Sequence, residues 1–219
     1  MTDKKKELLW LAAAAAGVWL LEFAAMLGAR ALDTLPIPIK APLFIFVQWI
    51  PLIAIAVIMK IRGESFREFL PPREKLGRQV LLGIAAGFVM SVVLMLIPFA
   101  LGFKEYIYTN GTYRKLWVAV YYLASDVIGT AVAEETVFRG YFYSRLRRIG
   151  GEAAAIAVSS VMFGFYHIFG GDIAQVIFTA VIGLMFCLTR KYAKGFSLLS
   201  LILMHGVYDF MIPVWAGLF

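Results

Sequence analysis

Two adjacent glutamates and an arginine stand in the apolar stretch VAEETVFRGY, at residues 132–141. Glu135 and Arg139 are four residues apart, so a helix would place them on one face and within pairing distance. Glu134 would point about 100° away from Glu135 on the same helix. One carboxylate can therefore hold the arginine while the other remains available as a general base.

The chain contains two histidines, and both lie in apolar stretches. His167 ends the segment FGFYH, whereas His205 and Asp209 begin and end HGVYD and share a helix face. Ionisable side chains at membrane depth are candidates for function that face a cavity. A base, a proton carrier and a donor for a developing oxyanion are the groups that peptide hydrolysis requires.

The elements that hold these residues are predicted to be membrane-spanning helices. The chain has 219 residues, is 62% hydrophobic and has a mean hydropathy of +0.82, whereas soluble domains are about 45–50% apolar. We predict an all-α, polytopic membrane helix bundle that forms a single domain, residues 1–219, with about seven spans (six to eight). The seven apolar windows are 8–29, 43–59, 79–101, 116–138, 153–169, 173–189 and 196–218.

The basic residues indicate the orientation of this bundle. Most of the 21 Lys and Arg residues lie in segments on the side of the N-terminus, if the spans alternate in direction. The opposite side holds Arg30, Lys40, Lys104, Arg114 and Lys115. This bias predicts a cytoplasmic N-terminus and an external C-terminus. Because the basic residues flank apolar runs, no nucleic-acid partner is expected.

A tight hairpin is predicted to bring Glu134 and His167 together. Gly150 and Gly151 permit a sharp turn between the fourth and fifth spans, and a short connection makes the two helices antiparallel neighbours. Glu134 lies 16 residues before Gly150 and His167 lies 17 after it. Both side chains should therefore lie about 25 Å from the turn.

Three motifs, in this order, resemble a known family. EETVFR matches EExxxR, FGFYH matches FxxxH and HGVYD matches HxxxN/D. The chain resembles the CAAX prenyl protease and bacteriocin-processing family, also called the Abi family. The resemblance covers about residues 116–210, which we expect to be the catalytic core.

The resemblance implies an intramembrane endopeptidase of the glutamate type. Glu134 would activate a water molecule, and His167 would help to hold and polarise it. Glu135 and Arg139 would give structural and electrostatic support, as would Phe163, the first residue of the FxxxH motif.

The resemblance also implies that His205 and the residue at 209 stabilise the oxyanion. The family most often has Asn at the last position of HxxxN/D, whereas this chain has Asp209. A carboxylate donates no hydrogen bond unless it is protonated, so we expect Asp209 to orient His205 as an imidazolium. Asp126, which has no motif support, is assigned a local hydrogen-bonding or packing role.

The resemblance implies that no cofactor is needed. It also implies that the substrates are membrane-associated proteins or peptides, prenylated (CAAX-type) or plain. Membrane lipid is the other expected partner, and a prokaryotic plasma membrane is the expected location. A zinc-dependent protease with Glu134, His167 and His205 as ligands is one alternative. A non-enzymatic bacteriocin-immunity or membrane scaffold protein is the other.

Overall fold

The computed structural model describes residues 3–102 and 115–218, which are helical throughout most of their length. It is 86% helical and has no strand within the described residues, which confirms the all-α prediction. Lys104 and Arg114, used above for the orientation, lie outside the described residues. The α-helices are α1 Asp3–Leu32, α2 Ile37–Gln48, α3 Ile50–Ile61, α4 Leu76–Ser91, α5 Ile97–Ala100, α6 Leu116–Ala124, α7 Val132–Glu135, α8 Tyr143–Tyr166, α9 Ile173–Tyr192 and α10 Leu198–Ala216.

Shorter helical types connect several of these elements. A 3₁₀ turn, Phe66–Phe69, lies between α3 and α4, and a second, His167–Phe169, follows α8. π-Helical segments occupy Val92–Leu96, Ser125–Ala131 and Thr136–Phe142. The sequence predicts a membrane-spanning helix over residues 116–138, and the two π-helical segments that flank Glu134 and Glu135 depart from the regular α-helix expected of such a span. Such wider turns are rare and often occur at functional sites.

Six helices within the described residues are long and apolar enough to cross a membrane. The fourth of them, Leu116–Phe169, has 54 residues and is broken at Gly151, whose φ of 81° and ψ of 179° are not helical. The predicted fourth and fifth spans are the two arms of this element. The chain is therefore an integral, multi-pass membrane protein.

Two compact units make up the chain, and each is discontinuous in sequence. Unit 1 consists of Met1–Leu70 and Ala133–Lys194, and unit 2 of Pro71–Val132 and Gly195–Phe219.

Unit 1 is built on the hairpin around Gly151. The Ser159 hydroxyl donates to the Phe138 carbonyl at 3.2 Å, and the Phe138 and Phe163 rings lie 5.2 Å apart. Because Phe138 lies 13 residues before Gly151 and Phe163 lies 12 after it, the ring contact shows that the arms run antiparallel, as predicted. Helix α9 packs closely on α8, since a Cβ on Gly164 would lie 2.5 Å from the Val176 carbonyl oxygen.

The N-terminal helix α1 packs against α3 and α8 in unit 1. A Cβ on Gly17 would meet the Ala54 Cβ at 3.0 Å, and the Trp19 indole donates to the Phe165 carbonyl at 3.3 Å. The predicted second span is split between α2 and α3 at Trp49, and Pro51 lies in the first turn of α3, where a missing N–H is tolerated.

Unit 2 depends on close packing of α4 on α10. Cβ atoms on Gly83 and Gly87 would lie 2.6 and 2.5 Å from the carbonyl oxygens of Ser200 and Met204. Glycines with GxxxG spacing commonly allow such close helix packing in membranes. Helix α10 begins at a capping box, in which Ser197 and Ser200 satisfy each other's backbone N–H groups.

Candidate active site

Glu134 and His167 come from opposite arms of the hairpin and meet inside unit 1. His167 Nε2 lies 4.0 Å from Glu134 Oε1. The Glu134 side chain is 8% exposed and that of His167 is 24% exposed. The pairing agrees with the equal distances that the sequence predicts from the glycine turn.

The His167 ring is fixed through its other nitrogen. Nδ1 lies 3.0 Å from the Phe163 carbonyl oxygen, and since a carbonyl only accepts, Nδ1 carries a proton. The Phe163 and Tyr166 rings contact the imidazole edge-on, with centroids 5.1 and 5.5 Å away. The ring therefore presents Nε2 toward Glu134.

Glu135 and Arg139 form a separate, fully buried ion pair. Arg139 Nη1 donates to Glu135 Oε1 at 2.9 Å, and both side chains are 0% exposed. The predicted i,i+4 pair is therefore present. Because it is closed to solvent, removing one partner would leave a buried charge without compensation.

Helix α9 completes the surroundings of the Arg139 guanidinium. Nη2 donates to the Gly183 carbonyl at 3.1 Å, and the group lies over the Phe163 and Phe186 rings at 4.2 and 5.0 Å. A Cβ on Gly183 would lie 3.1 Å from Arg139 Nη2. Gly183 and Phe186 were not among the predicted site residues, because neither the spacing nor the composition of the apolar α9 distinguishes them.

Phe163 links the two pairs of unit 1. Its carbonyl accepts from His167, while its ring contacts the Arg139 guanidinium. Phe163, the first residue of FxxxH, therefore contacts the Glu134–His167 pair through its backbone and the Glu135–Arg139 pair through its side chain.

His205 and Asp209 form their pair within unit 2. Both lie on α10, with His205 Nε2 3.2 Å from Asp209 Oδ2. The His205 side chain is 6% exposed and that of Asp209 is 28% exposed. The i,i+4 spacing is sufficient to form this contact.

A charged cluster lies in unit 1, at the glycine-turn end of the hairpin. Arg145 donates to Glu64 at 2.7 Å and to Glu68, and Arg62 donates to Glu7 and Glu64. Burial alone would raise the pKa of Glu64, but hydrogen bonds from Arg62 and Arg145 hold it below its ordinary value. Glu64, Glu68 and Arg145 also line an open cavity of about 280 Å³.

Within 3–102 and 115–218, no group of three or more His, Cys, Asp and Glu side chains is placed to hold a metal ion.

One family model matches the chain. Residues 115–211 match the model described as Rce1-like, type II CAAX prenyl endopeptidase Rce1-like. This range contains all three motifs and supports a CAAX-type intramembrane protease that acts on a protein or peptide substrate in the membrane. No curated protein and no solved structure matches the chain.

Proposed function

Because residues 115–211 match the Rce1-like model of type II CAAX prenyl endopeptidases, we propose that the chain is a glutamate-type intramembrane endopeptidase. Glu134 is the general base that activates a water molecule for attack on the peptide bond. The observation that carries this proposal is the 4.0 Å separation of Glu134 Oε1 and His167 Nε2.

That separation suits a shared water molecule. It exceeds the length of a direct hydrogen bond, which is about 2.7–3.2 Å, and one water can contact two polar groups at such a distance. Glu134 accepts a proton from the water as the oxygen attacks the carbonyl carbon. The proton then passes to the leaving amine, as expected for a general base that later acts as an acid.

His167 holds and polarises the same water in this proposal. With Nδ1 directed at the Phe163 carbonyl, Nε2 is the nitrogen that can contact the water. Because the ring is packed against Phe163 and Tyr166, little reorientation is needed when the reaction begins. Preorganised polar groups of this kind account for a large share of enzymatic rate enhancement.

Glu135 and Arg139 keep the helix that carries Glu134 in place. Their ion pair, the Gly183 carbonyl and the aromatic rings around Arg139 fix the arginine from three sides. Glu135 is committed to this pair, so the base role falls to Glu134. Neighbouring glutamates therefore have different roles, one structural and one chemical.

His205 is proposed to stabilise the oxyanion, with Asp209 orienting it. The 3.2 Å contact between His205 Nε2 and Asp209 supports an imidazolium, because a carboxylate favours the charged form of a neighbouring histidine. An imidazolium donates stronger hydrogen bonds than a neutral ring.

The substrates proposed are membrane-associated peptides, prenylated or plain, and the location proposed is a prokaryotic plasma membrane. The charged cluster around Arg145 lies at one end of the hairpin, whereas Glu134 lies about 16 Å along the helix, given 1.5 Å per residue. A substrate must therefore bring its scissile bond to membrane depth, which favours chains that a lipid holds at the bilayer.

The experiment is a cleavage assay with purified protein on matched prenylated and plain peptides. Wild type should cleave at least one of them, whereas Glu134→Ala and His167→Ala should not. Equal cleavage by wild type and both variants would overturn the proposal. Activity that chelation abolishes and added zinc restores would favour the zinc-dependent alternative, and bacteriocin immunity that survives both substitutions would favour the non-enzymatic one.

A further inference from the structure

The π-helical segment Thr136–Phe142 directly follows Glu135, and side chains from elsewhere in unit 1 bind the backbone where it ends. The Tyr143 N–H donates to the Phe138 carbonyl five residues back, which is the bond that defines a π-turn. The same carbonyl accepts a hydrogen bond from the buried Ser159 hydroxyl at 3.2 Å. The second arm of the hairpin therefore supports the last π-type bond.

The next carbonyl along the chain, that of Arg139, is bound by a residue of α9. It accepts a hydrogen bond from the Arg190 guanidinium, and the Ser144 hydroxyl lies 3.5 Å from the same oxygen. The Arg190 guanidinium also lies over the Tyr143 ring, 4.9 Å from its centroid, a cation–π contact that fixes its position. Arg190 therefore binds the point at which the helix returns from π-helical to α-helical bonding.

The acceptor of Arg190 differs from those of two other arginines in the same unit. Arg139 and Arg145 donate to carboxylates, whereas Arg190 donates to a main-chain carbonyl. Where a helix changes from one type of turn to another, its carbonyls lose the regular pattern of backbone donors, and a side chain can supply a donor instead. Because a charged donor forms a stronger hydrogen bond than a neutral one, Arg190 is placed to stabilise the π-helical turn.

The register of this segment decides where Glu134 points. A π-type bond spans one residue more than an α-type bond, so a return to α-helical bonding would move the residues before the segment by one position relative to those after it. One position corresponds to a rotation of about 100° and a rise of about 1.5 Å. Glu134 would then turn away from His167 on the other arm, and their 4.0 Å separation would be lost.

We propose that Arg190, assisted by Ser159, is a positioning residue that holds the π-helical segment in register and so keeps Glu134 facing His167. The inference rests on the function proposed above. It adds to that site a residue of α9 that belongs to none of the three motifs. Both side chains act through main-chain carbonyls and not through the substrate or the reacting water.

The first test compares substitutions of Arg190 in the full-length protein. Arg190→Met removes the donor and keeps a long side chain. It should lower kcat at least about ten-fold with KM unchanged, because a small misplacement of a catalytic group has a large effect on rate. Arg190→Lys keeps a charged donor and should recover most of that loss. Lys191→Met is the matched control and should leave kcat unchanged, since Lys191 is the next cation on α9 and contacts the exposed Tyr192 ring.

Ser159→Ala removes the second donor with little change in volume, and it keeps the inference testable if Arg190→Met does not fold. We expect a smaller fall in kcat, about three-fold or more, because the hydroxyl is a neutral donor. Ser160→Ala is the matched control and should retain the wild-type kcat. The Ser160 hydroxyl is also buried, but it donates to the Ile156 carbonyl of its own arm at 2.7 Å.

A further readout does not depend on activity. In protein labelled with ¹⁵N-histidine, a His205→Gln background leaves the resonances of His167 alone. Arg190→Met and Ser159→Ala should shift the Nε2 resonance of His167, because the Glu134 carboxylate moves away from it. The two matched controls should leave that resonance unchanged, and Arg190→Lys should bring it back toward its original position.

The outcomes separate this inference from the proposed function. An unchanged Nε2 resonance in Arg190→Met and Ser159→Ala would overturn the inference even if cleavage fell, because the loss would then have another cause. An Arg190→Lys variant as impaired as Arg190→Met would overturn the donor role. If wild type cleaved no peptide while the resonance shifted as expected, the proposed function would fail and the effect of Arg190 on the Glu134–His167 geometry would stand.

Discussion

Glu134 and Glu135 are adjacent in sequence, yet the two sides of the helix on which they lie differ in construction. Glu135 is fully buried in a 2.9 Å ion pair with Arg139. Glu134 faces His167 at 4.0 Å, and that histidine is 24% exposed. The closed pair therefore supports the helix, whereas the open pair leaves space for a reactant. Substitutions on the first side should therefore change stability, and those on the second should change activity.

The largest effect is expected on the closed side. Arg139→Met leaves the Glu135 carboxylate buried without its partner, so the free energy of unfolding should fall by about 3–5 kcal/mol. Denaturant titration in mixed micelles measures the change. Arg147→Met is the matched control, because the Arg147–Glu152 pair is longer, at 3.4 Å, and its arginine side chain is 62% exposed. An equal loss in both variants would contradict the contrast between the two sides.

On the open side, His167→Gln should lower kcat at least about 10²-fold. The amide lacks the imidazole Nε2 that holds and polarises the water, while its size and polarity preserve most of the packing around Phe163. Thermal unfolding in detergent should remain close to that of wild type. If the variant lost stability in proportion to its activity, His167 would be a structural residue and the distinction between the sides would fail.

Gly183→Ala tests the packing of α9 against Arg139 on the closed side. The added Cβ would lie 3.1 Å from Arg139 Nη2 and 3.1 Å from Phe163 Cδ1, so overpacking should reduce stability by about 1–3 kcal/mol. Gly77→Ala is the control, since a Cβ there meets nothing within 4 Å. A Gly183→Ala protein as stable as the control would show that α9 does not constrain the arginine.

The smallest effect is expected at the charged cluster outside the bilayer. The pKa of Glu64 is lowered in the folded protein by Arg62 and Arg145, so the ionised group stabilises the fold above its unfolded pKa of about 4.3. That contribution is lost as pH falls through the lowered folded pKa. Glu64→Gln should reduce stability by about 0.5–1 kcal/mol at pH 7.

The check for Glu64→Gln is its difference in Tm from wild type, measured at pH 7 and again in acid. The difference should shrink below about pH 4, where the wild-type carboxylate is also becoming protonated. Glu74→Gln serves as the control on the same loop, because Glu74 is exposed. A difference that grows on acidification would contradict the sign of the shift.

The hairpin and its two acid–base pairs follow from the sequence because they depend on local rules. The helical rise and the glycine turn predict that Glu134 and His167 lie at one level, and i,i+4 spacing predicts the Glu135–Arg139 pair. The roles of these residues in catalysis remain predictions. So do the single-domain organisation and the orientation in the membrane.

Other features could not be predicted, because they depend on residues far apart in the chain. Arg139 donates to the Gly183 carbonyl, 44 positions away in sequence, and Arg145 donates to Glu64, 81 positions away. Neither α9 nor the loop after α3 has a sequence pattern that indicates which residue its atoms contact. The π-helical segments beside Glu134 and Glu135 were also missed, because an apolar stretch of small residues is compatible with an ordinary α-helix.

The central claim is that Glu134 acts on the reaction while Glu135 acts on the fold. The most direct measurement compares Glu134→Gln with wild type for both binding and cleavage of one peptide that wild type cleaves. We predict that the variant binds the peptide with a Kd close to that of wild type and unfolds at a similar Tm, but cleaves it at least about 10²-fold more slowly. Cleavage at the wild-type rate by the Glu134→Gln protein would contradict the account.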